Sequence, residues 1–331
     1  MAVTPRVSVV TPFYNTAPYL AECIESVLAQ TLTEFEYLLV NNQSSDGSRD
    51  IAARYAATDS RIRLLDNPAH VGQVENYNGA LAQISGVSRW VKLIQADDAL
   101  FPDCLARMVA VGERDSNIGL VGSYYLKGDF PAGGGIPRDT WRVPGRDLAR
   151  RMLLTDLFPI GSPSAQMYRA DIVRERRPFY ALGRYHEDTE AAYEILLRYD
   201  FGFVHQVLAF LRTENVSIMS GVHGFNPGKL DHLIAFERYG RELLADEEYE
   251  AVKEWEWGSY MGFLGRSLFL RRGEDFWKYH LKGLAMIDKK LRRRDVMWHG
   301  LREIARSAVT PVASARKVFS AFQRRRTPRP R

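Results

Sequence analysis

Residues 91–105 read VKLIQADDALFPDCL. An apolar run, Val91-Lys92-Leu93-Ile94, stops at two adjacent carboxylates, Asp97 and Asp98, and Pro102 with Asp103 opens the next helix. Buried strands of parallel sheets read as short apolar runs, and open α/β sheets bind ligands beyond the carboxyl ends of their strands. Two readings of the acid pair stand at this point. One is a ligand site at a strand end; the other is a turn that caps the following helix.

The same grammar repeats on the N-terminal side. Val7 to Pro12 (VSVVTP) reads as a buried strand, Phe13 to Thr16 as a polar turn, and Leu20, Ile24, Val27 and Leu28 as one helical stripe. Glu36 to Val40 predicts a second strand ending in Asn41-Asn42, and Ser48 an N-cap after the loop Gln43–Gly47. Ile62 to Leu65 predicts a third strand, 72–84 a helix, 90–94 the fourth strand, 103–113 a helix and 119–121 a fifth strand. Strands alternating with helices predict an α/β fold with a mostly parallel sheet. Polar residues follow three strand ends, at Tyr14-Asn15, Asn41-Asn42 and Asp97-Asp98, and a parallel sheet brings those ends to one edge. That convergence favours the ligand-site reading. Neither GxGxxG nor GxxxxGK[ST] occurs, which argues against a dinucleotide fold and a P-loop. Without a glycine-rich cradle, a divalent metal on a carboxylate is the usual way to hold substrate phosphates.

The remainder changes character. Residues 128–145 hold Gly133-Gly134-Gly135 and read as a long loop, and 158–164 as a second irregular stretch. His186-Glu187-Asp188-Thr189-Glu190 leads into a helix, and 201–203 and 207–211 predict strands. From Asn226 the pattern is helical, and Trp255, Trp257, Tyr260 and Phe263 read as packing residues. The expected division is a catalytic domain over 1–222 (donor half to about 125) and a helical C-terminal extension over 223–331.

The chain has 331 residues, 46% hydrophobic and 26% charged, which is ordinary globular composition with ample length for a core. Its two cysteines, Cys23 and Cys104, lie in predicted helices without CxxC spacing, so neither a disulfide framework nor a cysteine zinc site is expected. No run is long and apolar enough to span a bilayer, and MAVTPRVSVV enters a strand at once, so a signal peptide is not expected. The expectation is a cytoplasmic protein, peripheral on the inner face of the membrane. The net charge of +5 hides a split. Residues 289–331 hold fourteen Lys or Arg against Asp295 and Glu303, which leaves 31 basic and 38 acidic residues in the body. Trp298, Leu301, Ile304, Ala305, Ala308 and Val312 share one helical face of this basic segment, a pattern suited to an anionic membrane surface. The alternative is a packed helix with a solvated basic face. An acidic body without a recognition motif argues against nucleic acid.

Together these stretches resemble glycosyltransferase family 2 and its GT-A fold. The resemblance rests on VSVVTPFYN (7–15), LVNNQSSDGS (39–48), Asn78 with Leu81 and Gly86, QADD (95–98) with Pro102, and Glu187-Asp188, and it covers about residues 5–220. It implies an inverting enzyme that uses a nucleotide-diphosphate sugar, in envelope polysaccharide, lipopolysaccharide or other glycan synthesis, with a glycan or lipid-linked acceptor. It implies Asp97, with Asp98 beside it, as ligands of Mg²⁺ or Mn²⁺. It implies a nucleotide pocket lined by Pro12, Tyr14, Asn15, Asn41, Asn78 and Ala96, and Asp188 as general base. Arg212, Glu187 and His186 fall to the diphosphate or the acceptor. Gln95 and Glu214 depart from the family pattern, which often has an acid and a His there, and Asn41 stands where many members carry an acid. Asp188 also reads simply as an acid at a helix start. A sugar nucleotidyltransferase and an inactive binding protein of the same fold are the alternatives; the first lacks its basic glycine-rich loop.

Overall fold

The computed structural model describes residues 4–182, 187–213 and 225–309, residues 293 and 303–309 as backbone alone. Two compact units divide between 217 and 218, slightly before the expected boundary.

The first unit contains β1 (Val7–Phe13), α1 (Ala17–Leu28), β2 (Phe35–Asn41), α2 (Ser48–Thr58), β3 (Ile62–Asp66), α3 (Gln73–Leu81), β4 (Trp90–Leu93), β5 (Ala99–Leu100) and α4 (Cys104–Gly112). It continues through β6 (Ile118–Lys127), β7 (Phe130–Ala132), β8 (Arg142–Val143), α5 (Gly145–Leu154), β9 (Gln166–Arg169), α6 (Ala170–Glu175), α7 (Glu187–Leu196) and β10 (Asp200–Leu211). The main sheet order is β3-β2-β1-β4-β9-β6-β10-β5. Neighbours among β3, β2, β1 and β4 are parallel, so the chain steps outward from β1 to β3 and then returns to β1's other side as β4. The crevice between the ends of β1 and β4 is therefore a topological switch point.

Pro12 shows how sequence and register agree. The Val10 carbonyl accepts from Ile94 N, so alternate β1 residues face β4, and Pro12 is next in that series. β4 pairs β1 only as far as Val10, so the donor that proline lacks falls where no strand needs it. On α1, Leu20, Cys23, Ile24 and Val27 are fully buried and pack with Val7, Val9 and Leu39 into the main core. Both cysteines are free and buried.

The sheet is less parallel than expected. β9 runs antiparallel between β4 and β6, and β5 runs antiparallel to β10. A four-residue strand after an irregular stretch has too few alternations to show in a sequence pattern. The two strands expected over 201–211 are one strand, whose register shifts against β6 mark its irregularities. The stretch 128–145 contains β7 and β8 rather than being loop throughout.

The second unit holds α8 (Pro227–Leu243), α9 (Asp246–Phe269), α10 (Glu274–Ala285) and α11 (Arg293–Val309). Its core includes Leu230, Leu233, Tyr260, Phe263, Leu264, Phe276 and Leu284. Tyr260 and Phe263 pack as read from the sequence, whereas Trp255 is exposed. His280 is fully buried there, its Nε2 on the Phe225 carbonyl (2.8 Å) and its Nδ1 on the Tyr260 hydroxyl (2.8 Å). Both contacts suit a neutral imidazole that donates through Nε2 and accepts through Nδ1, and burial pushes its pKa down to about 4. Among the described residues no helix is long and apolar enough to cross a membrane.

Candidate active site

The turn after β1 is fastened to the loop after β2. Asn15 adopts a left-handed conformation (φ 50°), which asparagine tolerates. Its Oδ1 accepts from Ser45 N (2.8 Å) and its amide donates to Ser44 Oγ (3.1 Å). Asp46 accepts from the Ala17 amide (2.9 Å), the Ser48 amide (3.1 Å) and the Ser48 hydroxyl (2.5 Å). Burial alone would raise its pKa, but these hydrogen bonds win and hold the carboxyl below its ordinary range. Tyr14 remains half exposed, its ring 4.4 Å from that of His70 between centroids.

Asn41 is buried and engaged at both ends of its amide. Nδ2 donates to Asp66 (2.8 Å) and Oδ1 accepts from Ser44 N (2.9 Å). Asp66 also takes the Arg49 guanidinium (2.8 Å), and that hydrogen bond is the main reason its pKa is lowered. Asp66 and His70 escaped the sequence reading. The signal for Asp66 was its place as the last residue of β3, directly across the ladder from Asn41.

The acid pair turns tightly, with Asp98 N on the Gln95 carbonyl (3.0 Å). Asp98 is 4% exposed, its Oδ1 accepts from Arg212 N (3.0 Å), and its Oδ2 is buried without a partner of hydrogen-bond geometry among the described residues. Burial first and the neighbouring Asp97 second push its pKa up to about 7, against the opposing pull of Ser164 and Arg212. Asp97 is half-buried.

Arg212, expected at the diphosphate or acceptor, braces this turn. Its Nε donates to the Asp97 carbonyl (3.0 Å), its guanidinium pairs with Glu22 (2.6 Å), and it lies over the Tyr19 ring at 4.8 Å. A planar fork suits two such acceptors at once. Ala96, expected along the nucleotide, has its side chain in the apolar core beneath the turn.

Lys92, inside the apolar run, is a fully buried amine. It donates to the carbonyls of Ser164 (2.6 Å) and Gln166 (3.0 Å), and burial lowers its pKa. The Ser164 hydroxyl in turn accepts from Gln95 N (3.0 Å). Lys92 thus ties the start of β9 to the acid turn. A single charge inside an apolar run was the available signal.

Asn78, expected in the nucleotide pocket, holds backbone. Its Nδ2 donates to the Tyr180 carbonyl (2.8 Å) and its Oδ1 accepts from Tyr180 N (2.8 Å), so its amide clamps the Tyr180 backbone. The Tyr180 hydroxyl meets that of Tyr168 (3.0 Å), which also reaches Gln166. α7 presents its acids to this layer. Asp188, whose Oδ1 accepts from Thr189 N (2.8 Å), acts electrostatically on Tyr125, Tyr168 and Tyr180. The buried Glu187 acts on Tyr77, and so does Asp97. The start of α7 and the acid turn therefore both act electrostatically on one buried tyrosine. His186 and Glu214 lie outside the described residues.

No group of three metal-ligating side chains occurs among the described residues. The donor set nevertheless fits a hard cation, because Mg²⁺-type ions commonly take one or two carboxylates and complete their shell with phosphate oxygens and water. The Asp98 oxygen that has no partner of hydrogen-bond geometry among the described residues is consistent with that.

A switch-point crevice with an acid pair and no glycine-rich phosphate loop sets this unit apart from dinucleotide and P-loop proteins. The family model described as Glycosyl transferase family 2 matches residues 8–177, just over half of the sequence, and the chain belongs to that family. It is 31% identical over 120 residues to the glycosyltransferase GlyG of Streptococcus pneumoniae serotype 4, covering 36% of this chain and 39% of that protein. It is 32% identical over 123 residues to the uncharacterized glycosyltransferase EpsJ of Bacillus subtilis, covering 37% and 35%. The chain thus spans about two fifths or less of these curated relatives. Among solved structures, S. aureus TarS 1-349 in complex with UDP-GlcNAc superposes with a TM-score of 0.59 at 16% identity, over 91% of this chain and 88% of that one. The mannosyltransferase PcManGT from Pyrobaculum calidifontis, in complex with GDP-Man and Mn²⁺, superposes with a TM-score of 0.55 at 19% identity, over 93% and 87%. At such identities the likeness establishes the fold.

Proposed function

We propose that this protein transfers a sugar from a nucleoside-diphosphate sugar to an acceptor hydroxyl with inversion. The observation that carries the reading is the acid pair Asp97-Asp98 beside the β1/β4 switch point, with a buried Asp98 oxygen that has no partner of hydrogen-bond geometry among the described residues. Asp97 and Asp98 would hold Mg²⁺ or Mn²⁺, which supplies charge neutralisation for the departing diphosphate. The cation bound by PcManGT accords with this.

This chain's own side chains do the rest. Pro12 and Asn15 shape the β1 turn, and Asn41, held by Asp66, supplies the polar edge for the base. Tyr14, with His70 beside it, supplies an aromatic face. Arg212 holds the Asp97 carbonyl and the Asp98 carboxylate in register and leaves phosphate contact to other groups. Asp188 takes the proton of the acceptor hydroxyl as it attacks the anomeric carbon opposite the breaking bond. Glu187 supports the same face, and the surrounding tyrosine layer limits water around it. The acceptor is a glycan or lipid-linked hydroxyl in envelope glycan assembly, and the basic 289–331 segment holds the enzyme against the inner face of an anionic membrane. Residues 310–331 of that segment lie outside the described structure.

The test is donor binding, by calorimetry, against UDP- and GDP-sugars with and without Mn²⁺. Binding that requires the cation and is lost in Asp97→Ala supports the reading. Cation-independent binding that survives Asp97→Ala overturns the role of Asp97.

A further inference from the structure

Helix α9 ends in Leu268-Phe269-Leu270-Arg271-Arg272, and these residues are exposed, Phe269 at 55% and Leu270 at 66%. A single exposed apolar side chain is ordinary, whereas a cluster of them is informative. A second apolar surface lies on α11. Met297, Trp298 and Leu301 share one helical face and are exposed at 56%, 65% and 54%. Val296 and Gly300 lie on the opposite side, which is the packed one. α11 is therefore apolar both inward and outward.

The two surfaces lie on helices that pack directly against each other. α9 and α11 cross at glycines, where a Cβ on Gly265 would stand 2.4 Å from the Gly300 Cα. Phe269 lies one turn beyond Gly265 on the same face, and its ring would stand 3.1 Å from a Cβ on Gly300. Phe269 thus joins the α9 end to α11 beside Gly300. The surroundings are basic. Arg271, Arg272, Arg294 and Arg302 are exposed, and residues 266–302 carry eleven Lys or Arg against four acids, Glu274, Asp275, Asp288 and Asp295.

We propose that the α9 end and the outer face of α11 form a single docking patch for an anionic lipid surface. This extends the membrane reading of the basic segment to a folded surface that includes residues outside it. Aromatic and aliphatic side chains enter the boundary between head groups and acyl chains, and arginines engage the anionic head groups. The arginine surround favours an anionic surface as occupant over a second, equally basic copy of the same patch.

The experiment uses the full chain and reads vesicle binding, which is separate from transfer activity. Co-sedimentation is compared on phosphatidylcholine vesicles and on vesicles that also contain phosphatidylglycerol. Phe269→Ser with Leu270→Ser should weaken binding to the anionic vesicles by about tenfold or more. Arg271→Gln with Arg272→Gln should also weaken it, with unchanged thermal unfolding. The first pair lies outside 289–331, so equal binding of wild type and this variant overturns the patch and leaves the basic segment as the sole contact. Equal binding to both vesicle types also overturns it. So does a dimer in solution that the serine pair dissociates, because that makes the patch a self-interface. Donor binding unchanged in all variants separates the fate of this proposal from that of the transferase reading.

Discussion

Replacing Asn78 with alanine separates a nucleotide contact from a backbone clamp. The two hydrogen bonds between its amide and the Tyr180 backbone are both 2.8 Å. Neutral hydrogen bonds contribute roughly 0.5–1.5 kcal/mol each, and a buried backbone group left unpaired costs about 1–3 kcal/mol. Tyr180 is fully buried, so loss of the clamp should destabilise the protein by roughly 2–4 kcal/mol in urea denaturation without donor. The slope against denaturant should stay constant, since the core is not re-formed. Tyr180 belongs to the layer against which Asp188 lies, so kcat should fall while donor affinity moves by less than about threefold. Asn78→Asp should be at least as damaging, because its second oxygen would face the Tyr180 carbonyl. The reasoning is refuted if Asn78→Ala unfolds within about 0.5 kcal/mol of wild type and loses donor affinity tenfold or more. That result would put the amide on the nucleotide.

Four further outcomes are expected. Asp97→Ala should abolish cation-dependent transfer with an unchanged unfolding midpoint; retained turnover counts against it. Asp188→Asn should bind donor as wild type does, by calorimetry, and fail to turn over, whereas lost donor binding would deny it the role of base. Lys92→Met removes two hydrogen bonds to backbone carbonyls and also the cost of burying the amine, so these opposed effects should leave stability within about 2 kcal/mol. Donor affinity should nevertheless fall as Ser164 loosens from Gln95, and unaltered affinity would show that Lys92 does not position the turn. His280 stays neutral in the fold down to about pH 4, whereas in the unfolded chain it protonates near 6.5. Between those values the unfolded state binds more protons, so this contribution is full above pH 6.5 and is lost as pH falls toward 4, by up to about 3 kcal/mol. His280→Gln should flatten that slope between pH 7 and 5, and an identical slope in both proteins would exclude the histidine.

Much of the donor half is legible without coordinates because its signals are local. Continuous apolar runs at 7–12, 36–40, 62–65 and 90–94 predicted four strands within a residue or two, and polar strand ends marked the crevice. Burial on both faces of a sheet needs such runs, and a crevice needs polar groups where they stop. Right-handed crossovers set the hand of the connections, whereas the order β3-β2-β1-β4 is read from the structure. By itself, then, the sequence determined the α/β alternation, the place of the acid pair and the family resemblance.

The tertiary structure alone decided what each polar side chain holds. Asn78, Arg212 and Lys92 have the chemistry of ligand-binding residues, yet they fasten backbone that lies 102, 115 and 72 residues away. Asp66 and His70 reach the site only because β3 ends beside β2 and the following loop folds back on Asn42, whose carbonyl lies 3.1 Å from the His70 ring. Hydrogen bonds are short-ranged and directional, so one residue's partners depend on atoms placed by distant parts of the chain. A strand's periodicity, by contrast, is written in its own few residues.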